Sequence, residues 1–179
     1  MISGNLGPHT LSVLLCQGNG TLREPLTVPV GRFPHYRAFG DWNGDGHLDL
    51  AVVAAGDDAV DVLLGDGTGQ LRKVTSYPVG TNPHGLEAGD VNGDGHLDLI
   101  VSNRSSRDLH VLFGDGTGAF VAAPPIPVGQ DIIALAAADL DEDSRLDLVL
   151  VSATSHVVIL LRGDGQGRFA PFALQKAGE

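Results

Sequence analysis

The sequence has little sulfur and few aromatic rings: one cysteine, one methionine, one tryptophan and two tyrosines in 179 residues. A lone cysteine, Cys16, excludes an intrachain disulfide. Its setting, Leu-Leu-Cys-Gln, lacks the small residue that precedes a lipoprotein cleavage site, so Cys16 reads as a small buried hydrophobe at a strand end. Basic residues are scarce as well, 11 against 22 acidic, for a formal charge of −11. Charge of that sign repels phosphate backbones and argues against nucleic acid as a partner. No apolar run is long enough to span a membrane, and the start lacks the basic residues and long apolar stretch of a secretory signal. Gly-x-Ser-x-Gly, His-Glu-x-x-His and the phosphate-binding Walker loop are all missing. With no such signature for catalysis, the chain is expected to be a binding or structural module and not an enzyme.

What is abundant is glycine, at 25 residues, with 10 prolines and an apolar share of 42%. That mixture predicts a folded chain of short strands joined by tight turns, with no apolar stripe of helical period. The acidic residues are placed regularly. Asp41, Asp90 and Asp139 are spaced by 49, as are Gly65, Gly114 and Gly163, which open the segments GDGTG, GDGTG and GDGQG. One further step back from Gly65 reaches Cys16, which opens CQGNGTL. The chain therefore contains three full repeats and the tail of a fourth.

Each repeat reads as four short antiparallel strands. In the second full repeat these are 84–90, 97–103, 108–114 and about 119–128. The second strand, with Leu97, Leu99, Ile100 and Val101, is apolar on both faces, as a sheet stacked between two others requires. Four strands per 40–50 residues is the pattern of β-propeller blades. The expected fold is all-β, about 3.5 blades of 49 residues, forming part of a propeller. The expected spans are a partial blade at 1–30 and blades at 31–79, 80–128 and 129–179. Because propellers close with four to eight blades, the chain is expected to be a piece of a larger ring or a protomer that self-associates.

Two loops share one oxygen-rich pattern: Asp41, Asn43, Asp45 and Asp49, then Asp90, Asn92, Asp94 and Asp98, at positions 1, 3, 5 and 9. Calcium takes six to eight hard oxygen ligands, and alternate residues of a curled loop can supply them. Glycine at position 6 permits the sharp turn, and the carbonyls of His47 and His96 at position 7 are further candidate ligands. Leu48 and Leu97 at position 8 are expected to bury themselves and anchor each loop to the strand that follows. An EF-hand would need glutamate at position 12, where Val52, Val101 and Leu150 stand. The third loop differs, with Asp139, Asp141, Asp143 and Asp147 as candidate ligands, the Arg145 carbonyl at position 7, and Ser144 in place of the glycine. Ser144 should take a left-handed conformation at a cost of about 1–2 kcal/mol. Asp141 adds a negative charge that should strengthen cation attraction. Three bound divalent ions would move the formal charge from −11 to −5.

Asp-x-Asn-x-Asp-Gly-x-x-Asp-Leu followed by Leu-x-Gly-Asp-Gly-x-Gly resembles the FG-GAP/VCBS repeat, the family of the integrin α N-terminal propeller and many bacterial surface proteins. The resemblance covers about residues 9–175. It implies a propeller with about three calcium ions in the loops between first and second strands. Weak calcium sites are useful only where free calcium is near millimolar, which suggests an extracellular or cell-surface location, and the expected role is a scaffold for protein–protein or adhesive contacts with a protein or glycan ligand. Alternatives are a carbohydrate-binding propeller or an accessory domain of a larger surface enzyme. Trp42, Tyr36 and Tyr77 are the aromatics available to stack a sugar, and they do not recur at equivalent positions.

Overall fold

A computed structural model describes residues 1–152 and 154–176; the rest of the expected last blade lies outside the described residues. Among the described residues all regular structure is β, in four antiparallel sheets. The first sheet holds β1 (Ile2–Asn5), β2 (Thr10–Val13) and β3 (Leu26–Pro29). The second runs in order through β4 (Pro34–Gly40), β5 (Asp49–Ala54), β6 (Ala59–Gly65) and β7 (Leu71–Pro78). The third contains β8 (Pro83–Gly89), β9 (Asp98–Asn103), β10 (Asp108–Gly114), β11 (Phe120–Ala122) and β12 (Ile126–Pro127). The fourth contains β13 (Ile132–Ala138), β14 (Asp147–Ser152), β15 (Val157–Gly163) and β16 (Phe169–Lys176).

Alternation along the second strand of each blade builds the cores between sheets. Leu50 and Val52 point to the first sheet, against Leu11, Val13 and Val28. Ala51 and Val53 point the other way, against Leu86, Leu99, Val101 and Phe120 of the third. Ile100 then faces Ile132, Leu135 and Leu148 of the fourth. Every residue of β5 and β9 is buried, as a strand covered on both faces must be. Each interface thus joins one sheet to the next, which is the arrangement of stacked blades.

The repeat is also written in the backbone. His9, Asp58, Arg107 and His156 all have φ of 51–58° in the turn between second and third strands, again 49 residues apart. His9 and β1 show that the partial blade retains its second strand, so this hairpin occurs four times. The fourth strand of the third sheet is broken. Pro124 and Pro125 separate β11 from β12, because proline has no N–H to give the ladder, yet both pieces pair with β10.

Two expectations need correction. Cys16 is exposed, in an isolated bridge to Leu22 beyond the end of β2, where the chain has left the core. Leu48 is 63% exposed and does not bury itself as expected. Its counterparts are partly buried, but against the preceding sheet: Leu97 meets Gly40, and Leu146 meets Gly89. Leucine at position 8 therefore joins two blades, and Leu48 lacks the contact that buries the other two.

Candidate metal centre

All three acidic loops connect the first and second strands of a sheet, at one end of the stack. In each, the first aspartate turns the loop about its own carboxylate. Asp41 accepts hydrogen bonds from the amides of Gly44 (2.8 Å), Asp45 (3.1 Å) and Gly46 (2.8 Å). Asp90 accepts from Gly93 (2.7 Å) and Gly95 (2.9 Å), and Asp139 from Asp143 (3.2 Å) and Ser144 (2.8 Å). Positions 4 and 6 are left-handed throughout: Gly44, Gly46, Gly93 and Gly95, then Glu142 (φ 63°) and Ser144 (φ 66°). The strain expected at Ser144 is present, and Glu142 adds a second instance that the glycine-to-serine change alone did not signal.

The fifth position folds back on the backbone. Asp45 accepts from the His47 amide at 2.8 Å and Asp94 from the His96 amide at 2.8 Å. These bonds hold both carboxyls below the ordinary aspartate range. Asn43 and Asn92 donate to Asp45 and Asp94 at 2.9 Å, so positions 3 and 5 face each other. The rings of His47 and His96 lie over Gly67 and Gly116, leaving position 7 to offer its carbonyl only.

The ninth position is the least exposed. Asp49, Asp98 and Asp147 are buried, and each binds two backbone amides. One comes from position 2: Trp42, Val91 or Leu140, at 2.8, 3.0 and 3.1 Å. The other comes from Gly65, Gly114 or Gly163, at 2.8, 2.9 and 2.9 Å. These aspartates therefore pin the loop to the third strand, a structural part that the spacing alone did not reveal. Burial pushes the Asp49 and Asp98 carboxyls up, partly offset by those two amides. The same junction explains the first glycine of each GDGxG segment. A Cβ at Gly65, Gly114 or Gly163 would collide with the carbonyl oxygen of Leu48, Leu97 or Leu146.

Among the described residues, the third loop brings its carboxylates closest. Ligand atoms of Asp139, Asp141 and Asp147 lie within 4.8 Å of one another and could hold a metal ion. Asp143 stands apart, accepting from the Arg145 amide at 2.9 Å. In the first two loops asparagine replaces one of those carboxylates. The donors are hard oxygens in all three, which suits calcium or magnesium over softer metals.

Two of the three aromatics considered for sugar stacking are not free to stack. Trp42 is 3% exposed, and Tyr77 is half-buried with its hydroxyl accepting from the Phe120 amide at 2.9 Å. Both pack edge-on against Phe120. Tyr36 remains exposed, beside His84, in a polar cleft also lined by His35 and Arg37. His84 Nδ1 lies 2.8 Å from the Ile133 carbonyl, so that nitrogen carries the proton and ties β8 to β13.

The FG-GAP-like repeat pattern matches residues 41–101 and 90–150, which together include all three loops. A search of curated proteins by sequence returned no match. Among solved structures, the periplasmic gluconolactonase PpgL of Pseudomonas aeruginosa superposes with a TM-score of 0.79 at 17% identity, over 99% of this chain and 51% of that one. A candidate 6-phosphogluconolactonase of Bacteroides uniformis gives 0.73 at 16%, over 97% and 52%. A lectin of Agrocybe aegerita that recognises non-reducing terminal N-acetylglucosamine gives 0.60 at 18%, over 96% and 47%. The fold is that of a β-propeller, and the chain spans about half the length of these relatives in structure. The expectation that the chain is no enzyme is corrected by this comparison, because lactonases share the architecture. Missing contiguous motifs were poor grounds for it, since catalytic groups are defined by geometry and can come from separate blades.

Proposed function

The chain belongs to the FG-GAP-like repeat family, and on that premise we propose that it is a calcium-binding propeller module of the extracellular space or cell surface that scaffolds contacts with a protein or glycan. The reading is carried by one observation: three loops with the same turn, each wrapped around an aspartate and pinned by a buried one. Such a loop has excess negative charge and preset oxygen positions, so a cation relieves the repulsion and locks the turn.

The metal would serve the fold. If each site has a dissociation constant near 10⁻⁴ M, calcium at about 1 mM stabilises by roughly 1.4 kcal/mol per site. Three such sites weigh heavily against a total of about 5–15 kcal/mol. With that affinity the sites would fill only where free calcium is near millimolar, so the extracellular assignment stands or falls with the measured dissociation constant. The remaining blades of the ring would come from a longer polypeptide or a second copy, and light scattering on the purified chain distinguishes these.

The test is thermal unfolding with 2 mM calcium and then with excess chelator. A fall in Tm on chelation is expected, and it should shrink in a D90N/D94N variant. An unchanged Tm in protein shown by elemental analysis to be metal-free would rule out the calcium part of the reading.

A further inference from the structure

The third loop carries one more ligand carboxylate than the others, and the fold sets an arginine against it. Candidate ligand side chains sum to −3 in the first loop (Asp41, Asp45, Asp49) and −3 in the second (Asp90, Asp94, Asp98). In the third, Asp139, Asp141, Asp143 and Asp147 sum to −4. The extra charge is Asp141, where the other loops have asparagine. Arg162 of β15 forms an ion pair with Asp141 Oδ2. Leu64 and Phe113 occupy the corresponding position of the first two full repeats, 98 and 49 residues earlier, so the arginine and the extra aspartate occur together in one repeat. The guanidinium is also held on its other side, with Cζ 4.7 Å from the centre of the Phe172 ring. A second arginine, Arg145, is 4.0 Å from Asp143, at the outer limit of an ion pair and so a looser contact.

Resting on the calcium reading above, we infer that Arg162 is a tethered counter-cation that sets the affinity of the third loop. With Arg162 in place, the local sum returns from −4 to −3, the value of the other two loops. Guanidinium does not lose its proton in the ordinary pH range, so its opposition to an incoming cation is constant. Asp141 keeps Oδ1 for the metal while Oδ2 stays with the arginine. The geometry thus makes a four-carboxylate loop behave as a three-carboxylate one, and removing Arg162 releases the difference.

The experiment is a calcium titration of the whole chain followed by amide NMR, with one reporter per loop: Gly46, Gly95 and Ser144. In R162L, with the residue found at position 64, the Ser144 midpoint should move to about tenfold lower calcium, a factor that allows for screening of a half-exposed charge. The Gly46 and Gly95 midpoints should stay where they are, which also shows that the variant is folded. R162Q keeps a hydrogen-bonding side chain and drops the charge, and should move Ser144 the same way. The double variant D141N/R162L should return Ser144 toward the wild-type midpoint. If Ser144 titrates in wild type but R162L and R162Q leave it unmoved or weaken it, the inference about Arg162 is wrong while the calcium reading stands. If no reporter shifts with calcium in wild type, the calcium reading itself fails.

Discussion

Glu142 and Ser144 hold left-handed backbone where the other loops have glycine, and each non-glycine residue costs about 1–2 kcal/mol there. E142G and S144G should each raise stability by about 1 kcal/mol, or roughly 2–4 °C in Tm for a chain of this size. A scan showing no gain for either would mean that the loop relaxes away from these angles. Gly114 presents the opposite case. Adding a Cβ drives it into the Leu97 carbonyl, so G114A should cost about 1–3 kcal/mol, measured by denaturant unfolding. Glu87, on β8, supplies a pH test. Burial raises its carboxyl above the ordinary value, so the folded state is penalised above the folded pKa and relieved below the unfolded one near 4.5. E87Q should therefore raise Tm at pH 7–8 and lose that advantage by about pH 4. An equal effect at both pH values would assign it to packing instead.

At the scale of the element, the loops join neighbouring blades. The Gly118 amide in the hairpin turn of the third sheet donates to the Trp42 carbonyl in the first acidic loop at 2.9 Å. Gly167 donates to Val91 in the second loop in the same way, at 2.8 Å. Leu97 and Leu146 reinforce these contacts by packing on the preceding sheet. A cation that stiffens a loop should therefore protect the Gly118 and Gly167 amides, and hydrogen exchange with and without calcium reads this directly. Slower exchange at both is expected, whereas equal rates would separate the loops from blade docking. The four-stranded repeat was legible because strand alternation and glycine spacing are local, and the unbroken apolar run Leu99, Ile100 and Val101 declares a strand covered on both faces. The joints were not legible, because they link residues more than 49 apart in sequence, as Trp42 to Gly118 and Val91 to Gly167, and the pairing of Asp141 with Arg162 arises only through the folded hairpin. Leu48 makes the same point: an identical motif residue is exposed in one blade and covered in the next two, according to its neighbour.

For the whole molecule, three interfaces of one design stack four sheets, and the acidic loops gather at one end of that stack. Most of the net charge of −11 lies in these loops, so the end proposed to bind cations is also the end with the most like-charge repulsion without them. The propeller fold is shared with lactonases and with a lectin, and fold alone does not choose among such activities. The local chemistry that this chain does display is oxygen-rich and acidic. Equilibrium dialysis against calcium near 1 mM, with protein-bound metal counted per chain, tests that chemistry most directly. The account predicts close to three ions per chain, falling by one in a D41N/D45N variant that remains folded. Uptake well below one ion per chain, or uptake indifferent to the loop substitutions, would contradict it.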